Sequence, residues 1–186
     1  MGSSLLIPAA AATLLAILTV LWGQFKKTQR ERMTVTWEQL VAQLAPVGHV
    51  GLEEVATDFL APTSQLADPR CEDVRLAPRD IWDLVGGVDG IETMERNARV
   101  LVELAGYVQR WNQEAIVVAE QLRLDAQEIQ TYLAKIRRAK KRGTLTTWFP
   151  IYAQRATAAY YLMTQRLLAL YEVSHAGLFP ALKAAL

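Results

Sequence analysis

Two histidines, one cysteine and scattered carboxylates are the groups in this 186-residue chain that could carry chemistry. A metal site or an acid–base pair needs such groups at spacings that bring two or more around one atom. His49 lies in the turn-like sequence PVGHVG and His175 at the end of a helical pattern, and neither is expected to stand with a second histidine, a cysteine or a carboxylate at ligand spacing. Cys71 is flanked by Glu72 and Asp73, whose charge raises a thiol's pKa and opposes thiolate chemistry. Glu53 with Glu54, and Glu72 with Asp73, are sequence neighbours that do not face each other on a helix. Glu114 and Glu120 flank an apolar stretch, but a di-metal carboxylate bundle needs a Glu-x-x-His pair on each of two helices, a set this chain lacks. Glycine-rich phosphate loops and the HExxH, GxSxG and CxxC patterns are all missing. The expectation is a protein without catalytic residues, metal or cofactor, and not an enzyme.

Two groups of residues remain as candidates for binding. Trp111, Ile116, Val118, Tyr160 and Met163 combine bulk with helical spacing and form a candidate face for a protein partner, or the lining of a small-molecule pocket. Lys140, Lys141 and Arg142, followed by Trp148, pair cations with an amphipathic ring, which suits contact with an anionic membrane. Nucleic acid is not expected, because Trp148 is the one stacking ring beside the basic run KIRRAKKRG.

The elements that must position these residues are helical, and the expected class is all-α. Residues 89–142 contain no proline, and their apolar residues recur in steps of three and four. The seam runs Ile91, Met94, Ala98, Leu101, Ala105, Val108, Asn112, Ala115, Ala119, Leu122, Ala126, Ile129, Leu133 and Ile136, with Asn112 its single polar member. This predicts one very long helix over about 89–142, ended by Gly143. Alternate seam positions are mostly alanine, so a neighbouring helix can approach closely. A second seam, Phe149, Ala153, Ala156, Tyr160, Met163, Leu167 and Leu170, predicts a C-terminal helix over about 149–175. The short connection makes the two antiparallel. The sequences TWEQLVAQLAP and LEEVATDFL predict two short helices that cover the bundle, RDIWDLVGG predicts a brief third helix stopped by Gly86 and Gly87, and the proline-punctuated stretch between the second and third reads as a loop.

Residues 5–22 are uncharged and almost wholly apolar, long enough as a helix to cross a bilayer core. Lys26, Lys27, Arg30 and Arg32 follow, and such charge stays on the cytoplasmic side. The expectation is an N-terminal single-pass transmembrane helix in the plasma or inner membrane, with the C-terminal domain in the cytoplasm. A single cysteine agrees with a reducing compartment. The organisation expected is an anchor with its basic flank at 1–27, short juxtamembrane helices and a loop at 28–88, and the long-helix hairpin at 89–186. Charge is segregated along the chain: residues 35–134 carry seven arginines against seventeen carboxylates, while residues 135–142 carry six cations and no acid. These features point to a membrane-anchored helical interaction or scaffold protein that presents an apolar helix face to a partner or a second copy. The alternative is a binding protein with a pocket between the long helix and the tyrosine-rich C-terminal helix.

Overall fold

A computed structural model describes residues 36–60 and 76–186. The expected anchor with its basic flank, and Cys71 in its loop, lie outside the described residues. The compact unit that starts at Trp37 and ends at Leu186 contains seven helices among its described residues: α1 Trp37–Val41, α2 His49–Leu60, α3 Pro78–Val85, α4 Gly87–Val108, α5 Ala115–Arg142, α6 Leu145–Ser174 and α7 Phe179–Ala185. No strand occurs among the described residues, so the all-α class holds. None of these helices is long and apolar enough to cross a membrane.

The single helix expected over 89–142 is corrected to two. α4 ends at Val108, residues 109–114 turn, and α5 starts at Ala115 and runs back alongside α4. The turn is made by Asn112, the one polar residue of the seam. Its Oδ1 accepts from the Glu114 backbone N–H at 2.9 Å, and its Nδ2 donates to Ser174 Oγ at 2.8 Å. Asparagine side chains favour turns in this way because they replace a backbone partner that the helix would otherwise supply. Folding back also removes an energetic difficulty, since a straight helix of that length would leave half its apolar face bare. With the turn, every seam residue except Asn112 is buried.

α4, α5 and α6 form an up–down–up bundle. The Arg137–Glu92 ion pair between the end of α5 and the start of α4 fixes those two as antiparallel, and the Arg166–Asp125 ion pair does the same for α5 and α6. α6 begins at Leu145 rather than near Phe149, taking Pro150 into its early turns. Proline removes one backbone donor there, and the carbonyl it deprives belongs to exposed Thr146, which water can serve. All seven residues of the second seam are buried. α5 stops at Gly143, whose φ of 73° is the left-handed conformation that glycine adopts without steric cost.

The short helices clasp this bundle. α2 and α3 pack on α6, α1 packs on α4, and Trp37, Leu40, Leu52, Val55, Ile81 and Val85 enter the core. The sequence pattern missed the hydrogen-bonded clamp that holds the loop after α1. Asn97 on α4 is 2% exposed; its Oδ1 accepts from the Ala45 N–H at 3.0 Å, while its Nδ2 donates to the Ala45 carbonyl at 2.8 Å and to the Tyr160 hydroxyl at 3.1 Å. One amide thereby joins α1's loop, α4 and α6. α7, also not foreseen, caps the end of α6 through Leu182, which is wholly buried.

Candidate interaction surfaces at the two ends of the bundle

The five residues expected to share one face are divided by the fold. Tyr160 and Met163 lie in the core between α4 and α6, where burial pushes the Tyr160 phenol up from its ordinary value and the Asn97 hydrogen bond partly opposes that. Trp111, Ile116 and Val118 gather instead at the α4–α5 turn, about 20 Å along α6 from Tyr160. At that end the Trp111 ring meets Tyr107 edge-on at 5.0 Å and His175 at 6.1 Å. The register set by Arg166 and Asp125 brings Val117 on α5 level with Val173 on α6, and these two are 74% and 84% exposed. Leu124, two turns along α5 from Val117, is exposed as well. Val117, Leu124 and Val173 fall between seam positions, so the pattern that located the core could not identify them.

Just beneath this end, Tyr171 donates its hydroxyl to the Leu104 carbonyl at 3.0 Å, and burial pushes its phenol well above the ordinary value. The Trp37 indole N–H lies near enough to Tyr171 to oppose that shift, yet among the described residues it has no hydrogen-bond partner. The chain therefore enters the compact unit beside the C-terminal part of α6.

The opposite end is the α5–α6 connection. Phe149 is buried against Trp82 at 4.3 Å, whereas Trp148 is 43% exposed and stacks on Tyr152 at 5.8 Å, with 13° between the rings. Tyr152 in turn stacks on Tyr132 at 6.1 Å. Lys135 Nζ stands 4.9 Å from the centre of the Tyr132 ring and 5.5 Å from that of Tyr152. Arg155 donates to the Tyr132 hydroxyl at 3.2 Å, and that hydrogen bond raises the guanidinium pKa further. Lys140, Lys141 and Arg142 are exposed at the end of α5, next to this ladder of rings.

The expectation that no carboxylate stands at ligand spacing from either histidine is corrected at the other end, where Glu172, three residues before His175, supplies one Glu-x-x-His, although the two-helix set does not exist. Both are exposed, and among the described residues no group of three histidine, cysteine or carboxylate side chains could hold a metal ion. His49 is the first residue of α2. The Thr157 hydroxyl donates to the Met94 sulfur at 3.8 Å inside the core. What the described surface offers chemically is therefore apolar contact at one end, and cations with stacked rings at the other. No family profile, curated protein or solved structure matches the chain.

Proposed function

We propose that this is a membrane-anchored helical interaction protein, without catalytic chemistry of its own, whose partner face is the apolar end formed by Trp111, Ile116, Val117, Leu124 and Val173. The carrying observation is the exposure of Trp111, Ile116, Val117 and Val173 at the α4–α5 end of the bundle, with Leu124 exposed two turns along α5; Val117 and Val173 are the most exposed of the large apolar side chains described. Each such residue left in water forgoes up to about 1.5 to 3 kcal/mol of burial, and a partner's surface would recover part of that. The fold changes the basis of the reading. A long unpaired helix is no longer the source of apolar surface, because α4 and α5 cover each other. The anchor is inferred from the uncharged run at residues 5–22, and the cytoplasmic placement of the unit from the cations after it. A small-molecule or cofactor pocket draws no support from Tyr160 and Met163, which are packed against other side chains and separated from Trp111.

The test is photocrosslinking of the full chain in its native membrane, with a benzophenone amino acid at position 117 or 173 and, as a control, at exposed position 131. The expected result is one constant product from 117 and 173, either a second copy or a single partner, and none from 131. Loss of that product in Val117→Glu/Val173→Glu with unchanged circular dichroism would complete the case. The same products from all three positions, or from none, would refute the assignment of the face.

A further inference from the structure

No carboxylate occurs between Glu128 and Glu172, while Lys135, Arg137, Arg138, Lys140, Lys141, Arg142, Arg155 and Arg166 all fall in that interval. The fold divides these eight cations by task. Arg137 and Arg166 are taken by Glu92 and Asp125, and Lys135 and Arg155 lie over rings. Arg138, Lys140, Lys141 and Arg142 are exposed and make no ion pair among the described residues. Cations in a last helical turn suit the helix dipole, but that effect is satisfied by one or two of them. Beside them Trp148 and Ile151, one turn apart at the start of α6, are both nearly half exposed.

We propose that this tip docks on an anionic lipid bilayer, with Lys140, Lys141 and Arg142 meeting lipid phosphates and Trp148 and Ile151 entering the boundary between headgroups and acyl chains. Charge complementarity selects the occupant, and an aliphatic side chain beside an indole ring is what an interface accommodates. Single-stranded nucleic acid fits less well. Tyr132, Tyr152 and Trp148 use their faces on one another and Tyr132 is buried, so of the ladder's two outer ring faces only that of Trp148 is open to a base, where such proteins offer several. The exposed carboxylates Asp80 and Asp83 flank Trp82 on α3, so the docking side is that of α5 and α6. This inference stands on those two helices and does not require the anchor or the partner face.

The experiment uses the full chain carrying Cys71→Ser and a nitroxide label at Thr147→Cys, an exposed position next to Trp148. It is mixed or reconstituted with vesicles of phosphatidylcholine alone, or of phosphatidylcholine with phosphatidylglycerol, and the label's accessibility to an aqueous nickel chelate is read. The expected result is shielding on the phosphatidylglycerol vesicles only, reversed by high salt. In Lys140→Gln/Lys141→Gln/Arg142→Gln the shielded-to-exposed equilibrium should fall on the order of 100-fold, since each cation contributes roughly fivefold. The salt arm needs no substitution, so the test survives a poorly folded variant. Equal accessibility on both vesicles, shielding on both, or stronger shielding by a polyuridine oligonucleotide than by phosphatidylglycerol would each overturn the proposal.

Discussion

Replacing Asn97 with alanine should be among the most costly single changes in the compact unit, although no apolar core residue is touched. Asn97→Ala removes three hydrogen bonds at once and leaves the Ala45 N–H, the Ala45 carbonyl and the Tyr160 hydroxyl to find new partners. Ala45 is half-buried, so water can replace part of what its backbone loses, whereas Tyr160 is 2% exposed and cannot be served that way. With about 0.5 to 1.5 kcal/mol for each bond, and more for a donor or acceptor stranded in the core, the loss comes to about 2 to 4 kcal/mol. In a unit of this size that is a fall in Tm of roughly 5 to 15 °C. Tyr160→Phe removes only the bond to the hydroxyl and should cost about 1 kcal/mol. Because both changes delete that same bond, the double variant should be less destabilised than the sum of the singles, by roughly 0.5 to 1.5 kcal/mol. Urea unfolding followed by circular dichroism measures all four corners of the cycle. An Asn97→Ala protein within about 0.5 kcal/mol of its parent, the range of an ordinary surface change, would refute the clamp.

Two glycines should respond to alanine with opposite signs. At Gly90 an added Cβ would meet the Val85 carbonyl oxygen at 1.7 Å, forcing α3 and α4 apart, so Gly90→Ala should cost about 2 to 3 kcal/mol. At Gly106 no described residue outside the adjoining helix backbone lies within 4 Å of the added Cβ, and Gly106→Ala should stabilise α4 by about 0.5 to 1 kcal/mol; equal midpoints in urea for the two variants would contradict the packing. Alkali should weaken the fold through Tyr160 and Tyr171. Burial raises both phenols above their ordinary value of 10.0, so above about pH 10 the folded state retains protons that the unfolded chain releases. Their stabilisation is complete below that pH and is lost progressively as pH rises from it through the raised values of the folded state. Tyr160→Phe/Tyr171→Phe, less stable at neutral pH, should show a shallower decline in urea midpoint between about pH 9 and 11, and a decline parallel to the parent's would contradict the assignment.

The core was legible because burial in these helices follows spacing. Both seams, from Ile91 to Ile136 and from Phe149 to Leu170, are buried at every position but Asn112. The break at Asn112 was hidden by the same regularity: the three-and-four spacing continues in phase from Val108 to Ala115, and residues 109–114 hold neither glycine nor proline. The signal that existed was the polar residue itself, whose side chain completes the turn. Asn97 was invisible for a different reason, since its partners lie 52 and 63 residues away and a side chain that grips backbone leaves no pairing pattern in the sequence. The candidate surfaces were half legible. The composition of the tip carried over directly onto an exposed end, whereas the proposed face lost Tyr160 and Met163 to the core, gave up half-buried Val118, and gained Val117, Leu124 and Val173, which only the packing of α5 against α6 reveals.

The unit begins at Trp37 beside Tyr171, and after α6 the chain continues into α7, packed on that same helix. A pull applied between the two ends of the unit is therefore borne locally and does not run lengthwise through α4, α5 and α6. Tension would peel α1 sideways, releasing Trp37 and Leu40 one after the other, before the three long helices felt any shear. Once Trp37 and Leu40 are released, the clamp at Ala45 is the next barrier such peeling meets, so a mechanical load on the N-terminal side would be absorbed by five residues of helix while the remainder of the unit kept its shape.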